Sequence, residues 1–224
     1  MKGLEFPACF RCNLGSSQLD QVASWVAVGM GAALLDDGLD PYWQKLSRGV
    51  QNNTPEVLDF LEVRRAEAIW WRTQVGSIDE LYKVPVSKEL FTKYLNPWAA
   101  KQGIALWYHH TGRILSEKAC VWTRWITNFS ILEAGAPKIF EGIDSDIGYL
   151  SQGRRESSSE FLYEFAINAD DGLAAFLIGA HSGSCFVVLI SDPYQPGLVE
   201  GGDYGEVFAT NRELGIHKIS PTRA

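Results

Sequence analysis

The chain has 224 residues, 46% hydrophobic and 21% charged, with eight Trp, eleven Phe and eight Tyr. That composition is globular, excludes a disordered or collagen-like chain, and supplies enough aromatic area to fill a core without staples. The formal charge is −7 with a pI near 5.1. A surface of that sign repels phosphate backbones, which argues against nucleic acid as a partner and fits a basic protein.

The charge is uneven. Residues 1–112 carry 11 Lys+Arg against 12 Asp+Glu, and residues 113–224 carry 9 against 15, so the acidity sits in the second half. The opening MKGLEFPACF has Glu5 and Pro7 where an export signal needs an unbroken apolar run. The longest apolar run, WVAVGMGAALL (25–35), is too short to span a bilayer, so no membrane partner is expected. Four cysteines do not make a disulfide framework in a chain of this length, and the expectation is a cytoplasmic protein with free thiols.

In chain order, Ser17 and Asp20 resemble a capping box ahead of a helix over roughly 18–35, apolar nearly all round and therefore buried. Asp40-Pro41 starts a short helix to about Gly49, and Thr54-Pro55 a longer one over roughly 55–74. Ser77 with Glu80, and then Ser87, mark two further starts, and Pro97 kinks or ends the last helix near Asn96. From there the pattern turns to strands: IALWYHH (104–110), then CVWTRWITNFS (120–130) after a Thr-Gly-Arg turn. QGRRESSSE (152–160) reads as a polar loop. EFLYEFAI (160–167), LAAFLIGAH (173–181) and CFVVLIS (185–191) read as strands, with NADDG (168–172) as a turn. DPYQPGLVEGGDYG (192–205) is a turn-rich loop before a last strand, EVFAT. Helices first and strands afterwards predict an α+β fold: one domain over 1–224, its helical half (1–103) packed on a mainly antiparallel sheet from 104–224.

GAHSGSC (179–185) brings His181, Ser182 and Cys185 within five residues. Placing Gly183-Ser184 in a two-residue II′ turn pairs Ser182 with Cys185 and Ile178 with Leu189. His181 and Cys185 then lie on opposite faces. A three-residue loop, 182–184, would instead set them about 5 Å apart as a thiolate–imidazole pair. The turn rule favours the first arrangement in a central, buried hairpin. Cys9-Phe-Arg-Cys12 is a C-x-x-C without a second ligand pair, so neither a redox site nor a metal site is predicted from it. Gly29-Met-Gly31 lies inside a helix and lacks the third glycine of a dinucleotide loop, and no Walker, HExxH or EF-hand spacing is present. No cofactor is expected.

His109-His110 suits a hydrogen-bonded inward ring beside an exposed one, and His217 stands alone. Glu62–Arg65 and Arg64–Glu67 are i,i+3 pairs of a self-neutralised face. Trp70 and Trp71 cannot share one face, and neither can Trp122 and Trp125. Trp71 is a candidate aromatic anchor for a partner. Glu141, Asp144 and Asp146 fall in one short segment and Asp170 and Asp171 in another. If the strands bring these together, they form a negative patch that steers a basic partner.

The stretch EFAINADDGLAAFLI (164–178) resembles, in general character, the strand-rich C-terminal segments of bacterial immunity proteins that neutralise toxins. It carries no shared motif, and no residue role follows from it. The expectation is a cytosolic binding protein, an inhibitor of immunity-protein type, that occludes a basic toxin or enzyme through Glu141, Asp144, Asp146, Asp170, Asp171 and Trp71. The alternatives are a cysteine-dependent hydrolase or transferase built on Cys185 and His181, and a viral or phage structural subunit.

Overall fold

The computed structural model describes residues 16–32, 41–72, 78–127, 140, 144–149, 151–152, 155–156, 161–180, 184–193, 205–211 and 215–218. Helix α1 (Ser17–Ala32) is apolar on most of its circumference, and Val22, Ala23, Trp25, Ala27 and Val28 are buried. Helix α2 (Pro41–Asn53) runs past Gly49 to Thr54 and packs on α1. Trp25 stacks on Trp43 at 6.4 Å and donates its indole N–H to Ser47 Oγ at 2.9 Å. This stacked pair, with the Trp25 N–H satisfied and the Trp43 N–H buried without a partner, holds the two helices in register.

Within 55–72, the described part of the helix that Thr54-Pro55 predicts over 55–74, that helix is not found. Pro55–Phe60 and Val63–Arg65 are 3-10 helices, and Glu67–Arg72 is a strand, β1. It pairs antiparallel with β2 (Ile78–Lys83), where Ser77 and Glu80 predict a helix start. Cap residues mark where a helix can begin. The β-branched and aromatic run Ile69-Trp70-Trp71, given a partner strand, decides otherwise. An isolated bridge between Leu61 and Val86 closes the base of this hairpin. Beyond it, among the described residues, the two strands make their extensive contacts only with each other, as an arm.

Ser87 does start a helix, α3, composed of Lys88–Leu90, a π-helical segment Phe91–Leu95, and Asn96–Thr111. Pro97 neither ends nor breaks it. Its missing N–H is absorbed by the wide turn just before it, where the Asn96 N–H reaches back to the Phe91 carbonyl. The helix therefore carries on through 104–110, which is helix and not the strand that IALWYHH predicts. Leu95, Trp98, Ala99, Leu106 and Trp107 recur at helical spacing and are buried. The helical part reaches Thr111, beyond the expected boundary at 103.

The remainder is an antiparallel sheet of seven strands in the order β11-β10-β3-β9-β8-β7-β4. These are β3 (Cys120–Thr127), β4 (Asp146–Tyr149), β7 (Phe161–Asn168), β8 (Leu173–Ala180), β9 (Ser184–Ser191), β10 (Gly205–Asn211) and β11 (Gly215–Lys218). A short ribbon, β5 (Ser151–Gln152) with β6 (Arg155–Glu156), stands apart within the predicted polar loop. The fold is α+β, helices on one face of an antiparallel sheet. No helix among the described residues is long and apolar enough to cross a membrane.

Strand alternation sets the core. Val121, Thr123 and Trp125 of β3 share a face with Phe186, Val188 and Ile190 of β9 and with Phe176 and Ile178 of β8. That face meets the helices. Trp125 meets Phe186 edge-on at 4.1 Å, and Trp98 of α3 lies 5.0 Å from the same ring. Gly103 lets α3 settle on β9, because a Cβ there would stand 2.4 Å from Val188 Cγ1. Trp122 lies on the opposite face from Trp125, as the odd spacing predicts.

The β8–β9 hairpin is central, but its register differs from both sequence options. Ala180 pairs with Ser184, Gly179 with Cys185 and Ile178 with Phe186, so the connection is 181–183. The Ser182–Cys185 pairing of the II′ turn would have put Ile178 opposite Leu189. It would have turned Phe186, Val188 and Ile190 away from the face that Phe176 and Ile178 occupy. Burial of those rings against the helices outweighs the turn preference.

Candidate functional site

The acidic segments meet the sheet at one end. Asp146 begins β4 opposite Phe165 of β7, and β7 ends three residues later at Asn168, about 10 Å along the strand. The turn that follows carries Asp170 and Asp171, both exposed, and Asp144 and Asp146 are exposed as well. Asn168 shapes this turn: its Oδ1 accepts the Asp171 N–H at 3.2 Å, and its Nδ2 donates to Asp171 Oδ2 at 2.6 Å. Ser145 Oγ donates to Glu164 Oε1 at 2.6 Å and ties the start of β4 to β7.

Two neighbours complete this end. The loop after α3 is latched to the β7–β8 turn by Arg113, which donates to the Ala169 carbonyl at 2.7 Å and lies 3.7 Å from Asp170. Asp192, just past β9, accepts from the Ser116 backbone N–H at 2.8 Å and from the Ser116 hydroxyl. Glu117 lies in the same loop and is exposed. Among the described residues this end thus carries the carboxylates Asp144, Asp146, Asp170, Asp171, Glu117 and Asp192 against the cations Arg113 and Lys118, a negative balance.

His109 and His110 close α3 rather than a strand. A helix C-terminus favours a cation there. His110 lies 4.1 Å from Phe165 in a stacked arrangement, and its Nε2 is 3.1 Å from Tyr163 Oη. Much of the ring stays in solvent, but the covered face decides its titration. Burial pushes the His110 pKa down, helped by His109, while Asp146 pulls the other way. Tyr163 is itself buried, and burial raises its phenol. His110 is thus the ring held by Tyr163 and Phe165, but both histidines are exposed at a helix end, so the expected inward ring at a strand end is not found.

The thiol reading fares differently. Cys185 sits opposite Gly179 on the face away from Phe186, and burial raises its thiol to about 11. Cys120 is buried and also raised to about 11. A nucleophilic cysteine needs the opposite shift. His181, Glu141, Cys9 and Cys12 lie outside the described residues. The backbone of Trp71 pairs with Asp79 on the face of the arm opposite to Trp70, and its side chain is outside the described set.

Among the described residues, no three His, Cys, Asp or Glu side chains converge to hold a metal ion. An open groove of about 730 Å³ near α1 and α2 is lined by Ser17, Gln18, Gln21, Asn52 and Asn53, none of them charged. Sequence reasoning missed the His110–Tyr163–Phe165 stack, which needs α3 to reach Thr111, and the exposed aromatics of the arm. Comparison with protein-family models, with curated proteins and with solved structures finds no match.

Proposed function

We propose that this protein binds a basic protein partner in the cytosol and acts by occlusion, as an inhibitor of immunity-protein type would. The observation that carries this reading is the placement of Asp144 and Asp146 at the same end of β7 as Asp170 and Asp171. Separate in sequence, these carboxylates share one end of the sheet, with Arg113 and Lys118 the nearby cations among the described residues. Charges so arranged attract a cationic surface before contact and orient it on arrival. The raised thiol of Cys185 lends nothing to the hydrolase alternative.

The test uses the full chain as bait in native lysate, beside a variant carrying Asp144→Asn, Asp146→Asn, Asp170→Asn and Asp171→Asn. The expected result is a protein of high pI held by the wild type and lost from the variant. A partner retained equally by both, or one of acidic pI, would overturn the reading.

A further inference from the structure

The β1–β2 arm carries the two most exposed aromatic rings of the described structure, Trp70 at 67% and Tyr82 at 58%. The register puts them on one face. Trp70 is directly opposite Glu80, Tyr82 follows Glu80 by two residues, and Ala68 is opposite Tyr82. The indole and phenol are therefore diagonal neighbours, with Glu80 beside both and only the methyl of Ala68 in the fourth position. Tyr82 Oη donates to Glu80 Oε1 at 3.2 Å, which holds the carboxylate toward the phenol.

Leaving an indole and a phenol in water forfeits burial that either ring would gain in a core or an interface. A two-stranded ribbon alone is also marginal in water. An arm with exposed rings therefore points to contact with something else. The carboxylate between the rings decides its chemistry. An apolar ligand would strip water from Glu80 without replacing it, and an anion would be repelled. A cation satisfies all three groups: it pairs with Glu80 and lies over the electron-rich faces of Trp70 and Tyr82.

We propose that Trp70, Glu80 and Tyr82 form a recognition site for a cationic side chain, guanidinium or alkylammonium, presented by a protein partner. This rests on the reading that the partner is basic, and it adds a contact on the arm separate from the acidic end of the sheet.

The test is an NMR titration of the full chain with the blocked peptide Ac-Gly-Arg-Gly-NH2. The citrulline peptide Ac-Gly-Cit-Gly-NH2 serves as the neutral control of the same shape. The probe is the Trp70 indole N–H resonance, assigned by its loss in Trp70→Phe. The arginine peptide should shift it saturably, with a midpoint on the order of 10 mM. Citrulline should bind at least about threefold more weakly, and Glu80→Gln should bring arginine down to the citrulline level. Tyr82→Phe, which keeps the ring, should retain most of the response. Equal response to both peptides would mean a generic apolar patch and overturn the proposal, as would a shift linear to about 100 mM. A Trp70 resonance that moves with protein concentration alone would assign the arm to a second copy instead, also against it. The four Asp→Asn changes at the sheet end should leave this titration intact. A failed titration beside persisting capture of a basic partner therefore removes the arm site alone.

Discussion

Replacing Gly172 with Ala should destabilise the protein by about 2–3 kcal/mol. Gly172 ends the turn that carries Asp170 and Asp171, with φ of 68°. A side chain in that region costs about 1–2 kcal/mol. There is a second cost. A Cβ on Gly172 would stand 1.8 Å from the Asp192 carbonyl oxygen, a backbone atom that cannot swing aside. The turn must then retreat from Asp192 and give up the hydrogen bond from the Asp192 N–H to the Gly172 carbonyl, 2.8 Å long. A lost hydrogen bond of this kind costs about 0.5–1.5 kcal/mol. Gly112, the C-cap of α3, supplies the control. Its φ is 66°, but a Cβ there meets nothing within 4 Å. Both substitutions remove the same unfolded-state freedom. Gly112→Ala should therefore cost only the conformational part, about 1–2 kcal/mol. For a chain of this size the Tm should fall by about 4–12 °C for Gly172→Ala and about 2–8 °C for Gly112→Ala, with Gly172→Ala always the lower of the two. Urea melts followed by tryptophan fluorescence give the two free energies side by side. If the two variants are equally stable, the turn is not braced on Asp192 and the geometry assigned to the acidic end is wrong.

Thiol labelling and pH give two further expectations. With Cys120 and Cys185 raised to about 11, only about one thiol in 10⁴ is ionised at pH 7. In a Cys9→Ser, Cys12→Ser background, both should label with a maleimide far more slowly in the native state than in urea. A native rate near the urea rate would restore a reactive cysteine. For His110 the shift is downward, so the unfolded chain binds the proton more readily than the fold does. The contribution of His110 to stability is full above its unfolded value of about 6.5 and declines as pH falls through that value toward the lower folded one. Urea midpoints at pH 7.5 and pH 5 should differ more for the wild type than for His110→Phe. Equal differences would show that the ring is not held against Phe165 and Tyr163.

The sheet was legible where local pattern and tertiary need coincide. β7, β8 and β9 alternate or run apolar between clear turn residues, and Trp122 and Trp125 fall on opposite faces as their spacing requires. Legibility failed where the partner in space decides. IALWYHH has the composition of a strand, yet it continues a helix that a π-turn carries past Pro97. Ile69-Trp70-Trp71 follows a good helix cap, yet it pairs with Ile78–Lys83. The four-residue strand β4 is interrupted by Gly148, and its signal is too weak to read alone. At the candidate site the acidic residues were visible one by one, but their common end of the sheet depends on β4 lying beside β7. No spacing in the sequence encodes that neighbourhood.

If the negative end of the sheet draws in a cationic surface, the encounter must weaken with salt. Stopped-flow association of the captured partner, followed from about 20 mM to about 500 mM salt, measures this most directly. The rate constant should fall by about tenfold or more across that range while dissociation changes little. An association rate that stays flat with salt would contradict it.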